Sequence, residues 1–180
     1  MNLDKLNIKT IKDTGKTFII SLFIAIFLKS FVVDATIVNG ASMANTLETN
    51  DFLLVDKLNP QIGEYERGDV VIVHAPDHEK KLYVKRVIGL PGERVDLIDG
   101  TFYIDGHPLE ESYINTKETE FNPLQENYSW ELLDTEYFIV GDNRIKGASN
   151  DSRNFGPVSK YNFVGRAFFR LAPLNKAGSL

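Results

Sequence analysis

The chain has 180 residues, 43% of them hydrophobic and 25% charged, which suits one globular domain with an attachment and excludes a disordered polymer. Its net charge is −5, from 20 basic and 25 acidic residues, which argues against a broad basic nucleic-acid surface. Cysteine is absent, removing disulfides, thiolate metal sites, iron–sulfur clusters and a cysteine nucleophile together, without fixing the redox compartment.

Residues 1–16 are polar, with Lys5, Lys9, Lys12 and Lys16 against Asp4 and Asp13. An uncharged run, Phe18 to Leu28, follows; Lys29 and Ser30 interrupt it before Phe31-Val32-Val33. As a helix, Phe18 to Val33 reaches ~24 Å at ~1.5 Å per residue. A bilayer core is ~30 Å thick, so a span here needs Lys29 to snorkel towards the headgroups. Three readings fit the segment. One is a buried core helix, although it lacks a polar face. Another is a cleavable signal peptide ending at Val33-Asp34-Ala35. The third is a retained signal anchor over 17–34, with the lysines on the cytoplasmic side.

Beyond residue 34 the pattern turns to period two and short apolar runs rich in Val, Ile, Phe and Tyr. The expected strands are 35–38, 52–57, 69–74, 81–88, 94–98, 101–104, 136–140 and 163–170. Asp99-Gly100 suits a two-residue hairpin turn, and Gly89-Leu90-Pro91-Gly92 is a second turn signal. No stretch sustains helical periodicity. The expected fold is mostly β, a sheet or barrel-like body over 35–171 behind one amino-terminal transmembrane helix. The acidic segment 108–135 reads as a solvated surface excursion, since Glu110 to Glu136 holds eight acidic residues and one lysine. The tail 172–180 is expected to fray.

Few residues can carry chemistry. His74 and His78 are four apart, but Pro76 breaks any helix between them, so two loop histidines are the simpler reading and no metal site is assigned. No phosphate-binding glycine loop occurs, and no cofactor is expected. Gly40-Ala41-Ser42-Met43-Ala44 is not a nucleophile elbow, and the three histidines (His74, His78, His107) fall at strand ends or turns, which disfavours a serine–histidine triad. A serine–lysine dyad asks only for a lysine that is neutral, hence desolvated and away from acids. Lys85 meets that test: alternation along Leu82 to Ile88 places it with Tyr83 and Val87, opposite Val84, Arg86 and Ile88. The competing reading, which composition alone favours, is an edge-strand lysine that discourages aggregation.

Five segments then resemble, in order, the bacterial type I signal peptidases, the leader peptidase family of membrane-anchored serine–lysine proteases. They are Val38-Asn-Gly-Ala-Ser42-Met43-Ala-Asn-Thr46-Leu47, Asp51-Phe-Leu-Leu-Val-Asp-Lys57 and Arg67-Gly-Asp-Val-Val71. Tyr83-Val-Lys85-Arg86-Val-Ile-Gly89-Leu-Pro91-Gly92 follows, then Gly141-Asp-Asn-Arg144 with Ser149-Asn-Asp151-Ser-Arg153. The resemblance implies Ser42 as nucleophile, Lys85 as general base and the Ser42 N–H as an oxyanion donor. It implies Ser149 as the residue orienting Lys85, and Asp151 with Arg153 as a structural ion pair. Val38, Met43, Leu47, Tyr83 and Val84 are implied around two substrate pockets, with core packing as their alternative reading. Asp142 and Arg144 read as framework.

The resemblance also implies a retained anchor, a catalytic body outside the cytoplasmic membrane, and preproteins and the lipid bilayer as partners, with no nucleic acid. Three departures stand out. Gly40 occupies the place where some members carry a second hydroxyl donor. Asn45 replaces a usual proline. Ile145 to Asn150 holds two residues more than the family pattern, around Gly147-Ala148. Two other readings stay open: a catalytically decayed homologue that assembles or chaperones surface structures such as pili, and an exported β-domain that binds ligands after cleavage behind Ala35.

Overall fold

In the computed structural model, residues 3–58, 64–78, 80–114, 119 and 128–180 are described. One helix, α1 (Leu3–Phe31), precedes twelve strands. β1 (Val33–Ile37), β2 (Phe52–Asp56), β3 (Val70–His74), β4 (Leu82–Gly89), β9 (Glu136–Val140), β10 (Val158–Ser159), β11 (Phe163–Ala172) and β12 (Gly178–Ser179) form the larger sheet. Its order is β1-β2-β11-β3-β4-β9-β10, with β12 added to β11. β5 (Arg94–Ile98), β6 (Thr101–Ile104), β7 (His107–Pro108) and β8 (Tyr128–Glu131) form the smaller sheet in the order β7-β6-β5-β8. A four-residue helix, α2 (Ser152–Phe155), is capped by Asp151, whose carboxylate accepts the Arg153 N–H. Among the described residues the fold is mostly β, as expected, and both sheets are open paths of strands.

Alternation explains the layering. Val70 and Ile72 of β3 join Val38, Met43, Leu47, Leu53, Val55 and Ala167 on one face. Val71 and Val73 point the other way, to Tyr65, Val87, Tyr137, Ile139 and Phe163. A sheet covered on both faces therefore gives β3 a continuous apolar run. β9 divides its side chains likewise: Tyr137 and Ile139 join that second cluster, while Phe138 and Val140 pack with Ile88, Val95, Leu97 and Phe102 beneath the small sheet. Burying each such side chain contributes roughly 1.5–3 kcal/mol, so β3 and β9 are the strands that tie the layers together. The β5–β6 turn has φ +48° at Asp99 and +78° at Gly100, the positive pair that a tight hairpin turn requires.

Three expectations change. The tail does not fray: Arg170 pairs with Gly178, Phe169 with Ser179, and Leu180 packs on the first core cluster. Short strands β7, β8, β10 and β12 are additional. At the amino terminus, helix ends at Phe31, and Val33 and Asp34 pair with Asp56 and Val55 in β1. The helical part of the 17–34 segment is thus shorter than expected, ~21 Å from Phe18 to Phe31. Among the described residues no helix is long and apolar enough to cross a membrane. The apolar run is nonetheless uncovered by the body, with Phe18, Ile19 and Phe23 exposed by 69, 67 and 71%. Residues 115–118 and 120–127 of the acidic excursion lie outside the described residues; of its described acids, Glu111 faces inward, onto Arg144.

Candidate active site

Ser42 sits in the loop between β1 and β2. The loop's base is closed by Val38 N–H to Asp51 O and Asn50 N–H to Val38 O, both 2.9 Å. Leu47 N–H and Thr46 N–H both donate to Met43 O, making a tight turn just after the serine. Asn45 in that turn has φ +91°. A proline ring locks φ near −65°, so the usual proline could not adopt this backbone, whereas asparagine tolerates it.

Lys85 approaches from β4, flanked by β3, where it pairs with Val71. The lysine turns its side chain inward and guards no edge from solvent. Only 2% of it is exposed, and its Nζ lies 2.8 Å from Ser42 Oγ. Its neighbour Arg86 points the other way and grips both oxygens of Asp142, Nε to Oδ1 at 2.9 Å and Nη2 to Oδ2 at 2.7 Å. Thr46 Oγ1 donates to the same carboxylate at 2.5 Å. Burial without a contacting acid pushes Lys85 down from its ordinary 10.5 to about 8; Asp151 pulls upward and Arg153 downward, each less strongly. The Tyr83 ring lies 5.2 Å from Nζ, walling the amine from water.

The segment after β9 completes the site. Gly141 is packed so that a Cβ there would overlap the Ser149 hydroxyl and the Ser42 carbonyl. Asn143 N–H donates to Ser42 O, and Asn143 Nδ2 to Ala41 O, each at 3.0 Å. Ser149 is buried, but its hydroxyl donates to Asp151 Oδ2 at 2.6 Å, and no hydrogen bond from it to Lys85 is seen among the described residues. The implied contact is not made; Asp151, which takes the Ser149 hydroxyl, acts on Lys85 only through its charge. That carboxylate also accepts from Gly141 N–H at 3.0 Å and pairs with Arg153 Nη2 at 2.8 Å. Burial raises Asp151, and the Arg153 guanidinium with these donors lowers it further, leaving the carboxyl below its ordinary value. The extra residues are absorbed in a turn: Ala148 N–H donates to Ile145 O at 3.0 Å, with Gly147 at φ +76°. Ser149 therefore stays beside Gly141.

Of the implied pocket residues, Val38, Met43, Tyr83 and Val84 line a cleft of about 110 Å³ at Ser42. Thr36, Ile37, Asn39, Gly40, Ile72 and Leu82 line it too. Leu47 does not; it is fully buried in the core cluster behind. Gly40, at φ +114°, offers the cleft no hydroxyl; its backbone instead meets Thr49 Oγ1, N–H at 3.3 Å and O at 3.2 Å.

A family model described as "Signal peptidase, peptidase S26" matches residues 11–172. A signal peptidase I from Leptolyngbya laminosa is 37% identical over 92% of this chain and 81% of its own length. Signal peptidase I T from Bacillus subtilis is 35% identical over 93% and 88%. The chain belongs to the signal peptidase family. It is a peptidase, a hydrolase. A crystal structure of a signal peptidase I from Enterococcus faecalis is 30% identical, covering 59% of this chain and 98% of its own, with a TM-score of 0.48.

In this peptidase the arrangement suits nucleophilic catalysis: a hydroxyl beside a buried amine, at a cleft of mixed polar and apolar lining. Gly141 and Asn143, which carry the contacts to the serine loop, have no counterpart among the sequence assignments. The Gly-Asp-Asn-Arg run marked their neighbourhood, but nothing in it indicated contacts to main-chain carbonyls of residues 41 and 42. Arg86 was likewise missed as the partner of Asp142.

Proposed function

We propose that this peptidase cleaves signal peptides from exported preproteins by a Ser42–Lys85 dyad through an acyl-enzyme. The observation that carries the reading is the 2.8 Å approach of Lys85 Nζ to Ser42 Oγ, with the lysine 2% exposed and its amine held near 8. Neutral Lys85 takes the Ser42 proton as Oγ attacks the substrate carbonyl. The Ser42 N–H stabilises the oxyanion, and the lysine's ammonium returns a proton to the leaving amine. The neutral amine then activates water to release the acyl group.

The cleft fits an extended segment with small alternate side chains. β4 pairs with β9 only from Arg86 onward, so Leu82 to Lys85 present a main-chain edge to the cleft. A signal peptide's small residues at −3 and −1 suit so shallow a space.

In this reading residues 1–16 lie in the cytoplasm, the apolar part of α1 is a signal anchor, and the body from residue 35 lies outside. The exposed run around Phe18 and Phe23 supports attachment. Its ~21 Å is short of a ~30 Å core, which Lys16 and Lys29 offset by snorkelling from the two ends. Confinement of enzyme and preprotein to one membrane raises their effective concentration. The features that favoured a decayed assembly factor, Asn45 and the extra residues, are absorbed in turns, and the 2.8 Å approach of Lys85 Nζ to Ser42 Oγ supports the catalytic reading over it.

The test uses the full chain in detergent with a preprotein bearing an A-x-A-like site. Cleavage after that site is expected, and Ser42→Ala and Lys85→Ala are each expected to abolish it. Full activity in either variant ends the proposal.

A further inference from the structure

Asn143 holds two carbonyls that bracket the Ser42 α-carbon. Its Nδ2 donates to Ala41 O and its backbone N–H to Ser42 O, each at 3.0 Å. We propose that Asn143 is the positioning residue that aims the oxyanion donor. This rests on the reading of Ser42 as nucleophile. Ala41 C=O and Ser42 N–H belong to one peptide. In a planar trans peptide those bonds point in opposite directions. A grip on the Ala41 oxygen therefore turns the Ser42 N–H directly away from Asn143.

The local turn holds that oxygen once, through Ala44 N–H to Ala41 O at 3.0 Å, and Asn143 adds a second donor from a distant segment. Gly40 precedes the peptide at φ +114°, with open space where a Cβ would stand, and Ala41 is exposed. Asn143 reaches the same oxygen from 102 residues away in sequence, across the Gly141 contact with Ser42, and alone ties it to the Ser42 carbonyl as well. The asparagine is itself oriented. Its Oδ1 accepts the Ile145 N–H at 3.4 Å, which leaves Nδ2 to face Ala41. The turn formed by the two extra residues begins at that same Ile145.

With no hydroxyl at Gly40, the Ser42 N–H carries more of the oxyanion's charge. Losing one such donor costs ~10²–10³ in kcat. Losing its aim costs part of that, about 10- to 100-fold. An aspartate at 143 has the same shape but no side-chain donor, and its carboxylate would repel the Ala41 oxygen. It should be the worse variant.

The experiment measures kcat and KM per active site, with sites counted by a serine-directed covalent probe, for wild type, Asn143→Ala, Asn143→Asp and Ser42→Ala. Expected are a kcat loss of ~10-fold or more in Asn143→Ala, a larger loss in Asn143→Asp, and KM within about twofold. The rising limb of the pH profile in Asn143→Ala should stay near 8, because the lysine is untouched. Both variants within twofold of wild-type kcat per counted site would overturn the proposal. So would a loss explained entirely by fewer countable sites, which is the mark of a merely structural residue. An active Ser42→Ala would instead fell the nucleophile reading. Should Asn143→Ala fail to fold, isosteric Asn143→Asp decides alone.

Discussion

Lys85 and Arg86 are consecutive on β4 and face opposite partners: Lys85 a serine hydroxyl at 2.8 Å, Arg86 the carboxylate of Asp142 at 2.7 Å. The strand's two-residue period turns the amine away from Asp142, and the arginine satisfies that acid. An exposed lysine titrates near ~10.4 and is almost wholly charged at neutral pH. This one is held near 8 by burial.

With Lys85 as the proposed general base, activity should rise with pH through a single basic limb centred near 8, where the amine becomes neutral. A pH profile of kcat/KM on the full chain reports the free enzyme's value. A limb at 10 or above, or none between 7 and 9, would contradict the desolvated amine.

The same burial sets a stability effect. The folded value lies below the unfolded one, so the unfolded state binds more protons between about 8 and 10.5. The penalty on the folded state is full below pH 8 and fades as pH rises towards 10.5. A fall from 10.5 to about 8 corresponds to roughly 3 kcal/mol. Lys85→Met fills similar space without a charge and should be more stable than wild type at pH 7 by up to that amount, less the lost Ser42 hydrogen bond. The advantage should shrink at pH 10. Denaturant melts at the two pH values check the sign; a variant less stable than wild type at pH 7 would refute it.

Gly141 should tolerate no side chain. A methyl there meets the Ser42 carbonyl, which is backbone and cannot swing aside, as well as Ser149. Gly141→Ala should displace the 141–143 segment, break the Asn143 contacts and cost ~1–3 kcal/mol in stability from overpacking. A displacement of about 1 Å at a catalytic serine is worth about 10² in rate. Assay and thermal melt together test this; a variant with wild-type kcat would show that the loop does not depend on the close approach.

What the sequence made legible was whatever chemistry is local. Asp99-Gly100 announces its turn because positive φ suits those two residues, and Lys85 announces itself as a charge in an apolar alternation. What stayed hidden depends on partners far along the chain. Gly178 and Ser179 form a strand only because β11 is long enough to receive them, and Asp142 meets Arg86 from 56 residues away. Leu47 and Met43 look alike in the motif and both pack in the first core cluster, yet only Met43 also lines the cleft. Only the path of the loop distinguishes them. Asn143 acts on main-chain oxygens, which leave no trace in residue identity.

Glu111 breaks the rule that an acidic run is solvated. It pairs with Arg144, which is fully buried, sits over the Phe102 ring, and donates from Nε to Gly141 O at 2.8 Å. That guanidinium has no route to neutrality, so a partner's loss leaves a buried cation uncompensated. Glu111→Gln should cost about 3 kcal/mol or more. Glu131→Gln, an exposed acid of the same run, should stay within about 0.5 kcal/mol of wild type. Because Arg144 also holds the Gly141 carbonyl, Glu111→Gln should lower kcat at temperatures where the protein is still folded. Equal melting curves for the two variants would show that Arg144 does not need its carboxylate.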